Sequence, residues 1–440
     1  MDAHIKFAAR AFGFAPLCVA PPAPAMLPLP APGQVLALLG PSGSGKTLAL
    51  EALRRHHGGV APAQPRRDDT PVLALFADIA DSARLLRVLA SCGLADGRLW
   101  QLPVRCLSAG EYARLCIAET LLRCRDGGLL VLDEFDTHLD QLAACALAQT
   151  VARVARRLGL RVAASTHRPE LLPYLGASRV LGLGADGALH DQAPPAPRAL
   201  ADELEIVPAR RADYARFARW HYLGPGLPGP TSHAFIARLG GEDVAIALFG
   251  YPHLLLAARR EMLPARFHPV RVRQFGAAAL NREVRNLQRV IVDPRARGAG
   301  VAQALLRHGM RQLGVRWVEC VAQLGQFSDF LLRAGFNPGP LIQPPCNRRL
   351  LKLLARLGLD AEMLHDASMR QRVLGALPPA QAAKLAAALA AVARSRVQTG
   401  HGHARQAGLV PGSVLERALA RLHARPQYFV HDAGTPDERQ

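Results

Sequence analysis

Apolar runs alternate with helical patterns along the first part of the chain. Four runs, VLALLG, VLALFA, LLVLDE and RVAAST, have the continuous hydrophobicity of strands that are buried on both faces. The stretches between them have the spacing of amphipathic helices. This order predicts an α/β fold with a mostly parallel sheet.

Proline marks the end of this pattern. The stretch HDQAPPAPRALADELEI interrupts helix and sheet alike, and a second alternating region then runs to about residue 349. After it, LLKLLARLGL and PPAQAAKLAAALAAVARSRV have the Ala/Leu spacing of helices, and a Pro pair opens the second. We therefore predict a first domain at 1–192, a linker at 193–204, a second domain at 205–350 and a helical C-terminal extension at 351–440.

Charge is unevenly distributed between these parts. The 440 residues have a formal net charge of +19. Lys and Arg exceed Asp and Glu by 4 in residues 1–200 and by 15 in residues 201–440. A basic domain attracts polyanions such as nucleic acid. The alternative is the base composition of a GC-rich genome, although that bias would raise Arg in both halves.

The apolar runs are too short, and the prolines near the N-terminus too frequent, for a membrane span or a signal sequence. We therefore expect a cytoplasmic protein with no membrane segment. The eight cysteines have neither CxxC nor zinc spacing, which favours free and mostly buried thiols.

A phosphate-binding loop follows the first apolar run. The stretch GPSGSGKT fits GxxxxGK[ST], in which backbone N–H groups and a lysine hold phosphates and the last hydroxyl binds Mg²⁺. Downstream lie LSAGE, the strand end LLVLDE, THLD and STH. The residues expected at the nucleotide from these motifs are Gly40, Pro41, Ser42, Gly43, Ser44, Gly45, Lys46, Thr47 and Asp133.

This series resembles the ATP-binding cassette (ABC) ATPases in content and order, over roughly residues 5–190. The resemblance implies Mg²⁺ at Thr47 and Asp133, a catalytic Glu134, a switch His167 and an ATP-dependent homodimer. In such a dimer, Ser108 and Gly110 of one subunit face the ATP of the other.

The chain departs from the cassette pattern in three places. Ala109 replaces the usual glycine of the signature, and no glutamine follows VLALFA, where Asp78 is the nearest polar residue and Gln101 lies too close to the signature. The short segment between the loop and the signature favours a cassette without a membrane partner. Phe12 or Phe14 is a candidate for stacking on adenine or for the core.

A second glycine loop lies in the other half, within NLQRVIVDPRARGAGVAQALLRHGM. The pattern predicts a strand, a turn at Pro294, the loop, and a helix from Val301. With FLLRAGF about thirty residues later, it resembles the GNAT acyltransferases, which implies a site for acetyl-CoA or another acyl-CoA. The residues that the resemblance places at this ligand are Val290, Val292, Arg295, Arg297, Gly298, Ala299, Gly300 and Val301. The simpler interpretation is a turn without a ligand.

Acyl transfer also needs a base for the nucleophile. The candidates near an acceptor are His221, Tyr222, Glu283 and Asp329. The run WHYLGPGLPGP indicates either a substrate site or a packed aromatic cluster.

As a whole, the chain resembles fusions of a soluble ABC-type ATPase with an acetyltransferase domain. Its second half is similar to the Mom-type DNA-modification proteins through His221, Tyr222 and the glycine loop. The tRNA cytidine acetyltransferases also couple an NTPase to a GNAT domain. We expect ATP hydrolysis coupled to acyl transfer on DNA or RNA. Two alternatives stay open: the ATP-binding subunit of a transporter, and an ATP-switched nucleic-acid-binding protein whose GNAT-like module is not catalytic.

Overall fold

A computed structural model describes most of the chain. The described residues are 3–13, 25–62, 67–221, 226, 229–323, 325–360, 364, 372, 375–394, 418, 422 and 425–434. Within these ranges, no helix combines the length and the apolar character that crossing a membrane requires.

The first half is built on a five-stranded sheet in the order β2-β3-β1-β4-β5. Its strands are β1 (Val35–Leu39), β2 (Leu129–Leu132), β3 (Arg161–Ser165), β4 (Arg179–Leu183) and β5 (Leu189–Gln192). All neighbours are parallel except β4 and β5. The first four strands are almost entirely buried, as their apolar runs predict. The prediction of a mostly parallel sheet is confirmed.

The described residues of the first half also form helices. They are α1 (Ala3–Phe12), α2 (Lys46–His57), α3 (Ser82–Ser91), α4 (Ala109–Arg123), α5 (Gln141–Leu158) and α6 (Leu172–Leu175). Short 3₁₀ turns occur at Val72–Phe76, Leu99–Gln101, Val104–Cys106, Pro169–Leu171 and Leu200–Glu203.

The strand predicted for VLALFA is wrong. Residues Val72–Phe76 form a 3₁₀ helix directly after Pro71. Only Val72 and Phe76, four residues apart, are buried, and Ala74 between them is exposed. The segment therefore buries one helical face, whereas an internal strand would bury both faces.

The second half contains a seven-stranded sheet in the order β11-β12-β10-β9-β8-β7-β6. Its strands are β6 (Glu205–Ala209), β7 (Thr231–Leu239), β8 (Glu242–Gly250), β9 (Val284–Val292), β10 (Trp317–Ala322), β11 (Asn337–Leu341) and β12 (Gln427–Asp432). Only β9 and β10 are parallel neighbours.

The β9–β10 pair separates partway along its length. The two strands pair from Val284 with Trp317 to Asn286 with Glu319. Beyond this point β9 continues to Val292 and β10 to Ala322 without pairing to each other. A cleft therefore opens between their carboxyl ends, where open α/β sheets commonly bind ligands.

Eight helices accompany this sheet within the described residues. They are α7 (Tyr214–Phe217), α8 (Arg259–Met262), α9 (Pro269–Phe275), α10 (Ala278–Glu283), α11 (Val301–Gln312), α12 (Phe330–Ala334), α13 (Pro345–Arg356) and α14 (Pro379–Arg394). Helix α11 begins at Val301, as the sequence predicts.

The C-terminal part combines helices with a strand. Helices α13 and α14 pack through buried leucines, among them Leu350 and Leu385. The final described residues instead form β12, between β10 and β11, so the prediction of a purely helical extension is incomplete. Tyr428 Oη on β12 donates a hydrogen bond of 2.8 Å to buried Glu319. This bond and the burial of the neighbouring apolar side chains hold the strand inside the sheet.

The two halves share a hydrophobic core. One cluster of buried side chains includes Leu115 and Val151 of the first half with Ala296 and Val301 of the second. The predicted linker takes part in this packing, because Leu200 is buried and its N–H donates to Gln149 Oε1 at 3.2 Å. The segment is therefore anchored to α5.

Candidate functional site

The loop between β1 and α2 has the geometry of a phosphate cradle. Gly43 and Gly45 lie in the left-handed region, with φ of 81° and 96°, and Gly45 is the N-cap of α2. A Cβ at Gly40 would lie 2.5 Å from the carbonyl oxygen of Leu183. Successive N–H groups in such a turn, together with the start of a helix, form an anion site.

Lys46 curves back over this loop. Its Nζ donates to the carbonyl oxygens of Gly40 and Pro41, each at 2.8 Å, and the residue is buried. Ser44 Oγ is also buried and has no hydrogen-bond partner among the described residues. A phosphate in the loop would find an ammonium group and a spare hydroxyl within the cradle.

Thr47 and Asp133 meet at the end of the parallel strands. Thr47 Oγ1 donates to Asp133 Oδ2 at 2.7 Å, and Ser165 Oγ donates to Asp133 Oδ1 at 2.6 Å. A hydroxyl and a carboxylate beside a phosphate loop fit Mg²⁺, which takes few protein ligands and completes its shell with phosphate and water. These residues therefore suit a magnesium-bound nucleotide.

Glu134 and His167 form the next pair along the same edge. Their side chains meet at 2.7 Å between Oε1 and Nε2. Glu134 has φ of 44° and is the one non-glycine residue in the described part with positive φ, while its N–H donates to Ser165 Oγ at 2.8 Å. Backbone strain of this kind concentrates at functional positions, because neighbouring contacts must hold it.

The signature segment begins α4. Ser108 is the N-cap and forms a capping box with Glu111, whose Oε2 accepts from Ser108 N at 2.9 Å and from Ser108 Oγ at 2.8 Å. Ser108 is exposed, and Gly110 lies against Leu139 before α5. This end of α4 is therefore accessible from outside the subunit.

Four other residues considered from the sequence either lie apart from this site or are not described by the structure. Asp78 accepts a hydrogen bond from Arg123 at 2.8 Å, which lowers the pKa of the Asp78 carboxyl. Gln101 is exposed, and so is Phe12 at the end of α1. Phe14 lies outside the described residues.

The second glycine loop connects β9 to α11. Gly298 and Gly300 have φ of 86° and 85°, and Gly300 is the N-cap of α11. The backbone geometry thus again requires glycine and directs N–H groups to the start of a helix.

One side of this loop is bound to the first half. Arg114 on α4 donates to the carbonyl oxygens of Pro294 and, at 2.8 Å, Arg295. Arg153 on α5 donates to Gly298 O at 2.5 Å. Burial lowers the pKa of the Arg114 guanidinium to about 10 and that of Arg153 in the same direction. Two helices of the first half, α4 and α5, therefore fix the loop in place.

A cavity of about 400 Å³ lies on the other side of the loop. It opens where β9 and β10 separate, between the loop, α12 and the first half. Of the residues predicted to bind an acyl-CoA, those that line it are Val290, Val292, Arg297, Gly298, Gly300 and Val301. Arg295 pairs with Asp293 at 2.9 Å outside the lining, and Ala299 is buried in the shared core.

Two of the four acceptor candidates lie at this cavity. His221 and Asp329 line the cavity. Glu283 lies outside the lining and pairs with Arg266 at 2.7 Å. Tyr222 lies outside the described residues.

Sequence reasoning missed the part of the cavity that the first half supplies. Arg87, Ser91, Asp96, Arg153 and Arg157 all line it, although they lie far from the loop in the chain. They carry no motif, and only the packing of the two halves brings them there.

Comparisons with known proteins find relatives for part of the chain. It is 32% identical over 197 residues to the zinc import ATP-binding protein ZnuC of Roseobacter denitrificans, covering 40% of this chain and 74% of that protein. It is 32% identical over 230 residues to the aliphatic sulfonates import ATP-binding protein SsuB of Mycobacterium avium, covering 47% and 80%.

A solved structure and the family models complete the comparison. The dimeric structure of MJ0796, a bacterial ABC transporter cassette, aligns with a TM-score of 0.32 and 17% identity, covering 38% of this chain and 88% of that one. No protein-family model matches the chain.

Proposed function

Because the chain belongs to the ATP-binding cassette family, we propose that it hydrolyses ATP in its first half and couples this to acyl transfer on nucleic acid in its second. The cleft between β9 and β10, under a glycine loop held by α4 and α5, is the observation that carries the coupling. Residues of the nucleotide-binding half line the cavity that opens at this cleft.

Each polar residue of the ATP site has a distinct role. The loop amides and Lys46 hold the phosphates, and Thr47 with Asp133 holds Mg²⁺, which neutralises phosphate charge when bound. Glu134 orients the attacking water, and His167, at 2.7 Å, positions that carboxylate. The exposed Ser108 suits contact with the nucleotide of a second subunit, so the active form is a homodimer.

The second site suits an acyl-CoA. The loop amides at the start of α11 hold its pyrophosphate, and the cleft takes the pantetheine arm. Val290 and Val292 line the cleft on a strand edge that β10 leaves unpaired, so their backbone groups are available to the thioester carbonyl. Neither Lys nor Ser or Thr follows the glycines, which disfavours a magnesium-bound nucleotide at this loop.

His221 is the better placed of the base candidates that the structure describes. It lines the cavity, whereas Glu283 is paired with Arg266 outside it. Asp329 also lines the cavity, but its carboxylate accepts from Arg333 at 2.7 Å, which favours a structural role. His221 therefore takes the proton from the acceptor.

Nucleic acid is the proposed acceptor because the second half has a large excess of positive charge. Most of the net positive charge lies in residues 201–440, the half that contains the cleft and the second glycine loop. Lysine and arginine side chains bind phosphates without regard to sequence.

Gly300→Val tests the acyl-CoA site. A valine at φ of 85° is strained and places a side chain at the N-cap where phosphate must approach, so acetyl-CoA binding should be lost while ATP turnover persists. Gly314→Val is the matched control, because Gly314 also has positive φ, follows the other end of α11 and has open space. Calorimetric titration measures the binding of acetyl-CoA, and an ATPase assay measures the turnover of ATP. If the wild type binds no acyl-CoA, the second half is a non-catalytic module.

A transporter subunit is the second candidate, since the relatives are import ATP-binding proteins. In transport cassettes the helical segment before the signature contacts the membrane partner. Here the end of α3 is covered, because a Cβ at Gly93 would lie 2.8 Å from the carbonyl oxygen of Arg297. This contact favours the coupled enzyme, and stable co-purification with a membrane protein would favour the transporter instead.

A further inference from the structure

The cavity has walls from both halves of the chain. The second half supplies the cleft and the glycine loop, and the first half supplies parts of α3, α5 and the turn after α3. The contact is tight: Arg153 donates to Gly298 O and to Ser91 O, each at 2.5 Å. A Cβ at Gly298 would lie 2.8 Å from Thr150 Oγ1. The first half is therefore a fixed wall of the site.

The lining is rich in positive charge. Among the lining residues that the structure describes, six are arginines and two are aspartates: Arg87, Arg153, Arg157, Arg289, Arg297 and Arg333 with Asp96 and Asp329. Three of the six come from the first half. Burial lowers the pKa of Arg297 and of Arg153, and Arg297 pairs with Asp96 at 3.6 Å. Such an environment favours a bound polyanion.

The cassette arginines differ in how firmly they are held. Arg153 donates hydrogen bonds to two backbone carbonyl oxygens, those of Gly298 and Ser91. Arg87 and Arg157 have side chains that are about half exposed, with carboxylate contacts of 3.9 Å to Asp81 and 3.4 Å to Asp329. Contacts this long on exposed side chains contribute little, so both guanidinium groups can turn toward a ligand at small cost.

We propose that Arg87 and Arg157 of the cassette half bind the 3′-phosphate of the acyl-CoA, so that the ligand is held between the two halves. This rests on the acyl-CoA site proposed above. The loop amides already serve the pyrophosphate, whereas the phosphomonoester on the ribose needs cations beyond the loop. Guanidinium groups bind such a phosphate through paired hydrogen bonds.

The arrangement gives the cassette a direct influence on the second site. Arg87 lies on α3 and Arg157 on α5, and α5 begins at Gln141, two residues after Leu139, which lies against Gly110 of the signature segment. A shift of these helices when nucleotide binds would move the two arginines relative to the loop. Acyl-CoA affinity would then depend on the state of the ATP site.

The test compares acetyl-CoA with acetyl-dephospho-CoA by calorimetric titration of the full chain. The wild type should bind acetyl-CoA about tenfold or more tightly than the dephospho form, since a charged hydrogen-bonded contact is lost. The double variant Arg87→Ala/Arg157→Ala should lose this preference and keep the wild-type affinity for the dephospho form. Arg84→Ala, on the same helix but outside the lining, should behave as wild type.

The outcomes separate this inference from the function on which it rests. If the double variant keeps the full preference for acetyl-CoA, the cassette arginines do not bind the phosphate, and the acyl-CoA site itself stands. If the wild type binds neither ligand, both proposals fail. Loss of binding to both ligands, in a variant that hydrolyses ATP at the wild-type rate, would mean that the arginines shape the cavity and would overturn the phosphate contact. A double variant that still prefers acetyl-CoA but loses nucleic-acid binding would assign the arginines to the polymer.

Discussion

At the scale of single residues, the nucleotide site separates binding from turnover. Lys46, Thr47 and Asp133 lie on or directly beside the phosphate loop. Glu134 and His167 form a separate pair at 2.7 Å. Substitutions in the second group should therefore affect the chemical step more than the affinity for ATP.

Glu134→Gln is the sharpest change of this kind. The amide keeps the shape of the side chain but cannot accept a proton, so the rate of ATP hydrolysis should fall by about 10²–10⁴-fold while ATP still binds. The variant should also accumulate as a dimer with ATP. Steady-state turnover, nucleotide binding and sedimentation measure the three effects, and Glu170→Gln, an exposed residue, serves as the control. Turnover at the wild-type rate would exclude Glu134 as the catalytic carboxylate.

Cys92 reports on the contact between the halves. It precedes Gly93, and burial raises the pKa of its thiol to about 12. Because the thiolate is the reactive form, Cys92 should resist alkylation at pH 8, whereas exposed Cys106 reacts. Mass spectrometry of the peptides follows both sites. Equal rates at Cys92 and Cys106 in the folded protein would show that the halves separate readily.

At the scale of elements, the loop before α11 is shaped by its contacts with the cassette half. The sequence suggests that Gly298 leaves room for phosphate. The structure adds that its missing side chain leaves room for Thr150 on α5. Gly298 thus serves the joint between the halves.

Gly298→Ala should accordingly destabilise the protein. Strain at φ of 86° and overlap with Thr150 Oγ1 at 2.8 Å together predict a loss of about 2–5 kcal/mol in the free energy of unfolding. Gly127→Ala, at φ of 73° with open space, should cost about 1–2 kcal/mol from strain alone. Denaturant titration compares them. Equal losses of unfolding free energy in the two variants would mean that α5 shifts to accommodate the methyl group added at Gly298.

The elements also show how far sequence patterns reach. The motif at Gly40–Thr47 and the strand before it were predictable, because a phosphate loop encodes its own local geometry. VLALFA was misread because a short apolar run has the same composition in a strand and in a half-buried 3₁₀ turn. The part of the cavity wall that the cassette half supplies was not predictable, because Arg87 and Arg157 reach the cavity only when α3 and α5 pack against the loop.

At the scale of the whole molecule, the two halves of the chain share one core. Buried side chains of both halves belong to the same cluster, and the guanidinium groups of Arg114 and Arg153 cross the boundary. The excess positive charge nevertheless lies in the second half. Nucleic acid should therefore bind the full chain without first separating the halves.

Salt dependence tests this electrostatic contact. Binding of the full chain to duplex DNA should weaken linearly on a log–log plot against salt, with a slope of about −0.9 for each phosphate contact, or about −0.7 on single strands. Fluorescence anisotropy at several salt concentrations gives the slope. Binding that is insensitive to salt, or absent at low salt, would attribute the charge to genome composition.

Acyl transfer to nucleic acid is measured most directly with the purified protein, ATP, Mg²⁺ and isotopically labelled acetyl-CoA, using DNA and RNA in separate reactions. The polymer is digested to nucleosides and analysed by mass spectrometry. We predict a labelled acetyl-nucleoside from one of the two polymers, absent with Gly300→Val and strongly reduced with Glu134→Gln. Vigorous ATP hydrolysis with no acylated nucleoside from either polymer would contradict the proposed coupling.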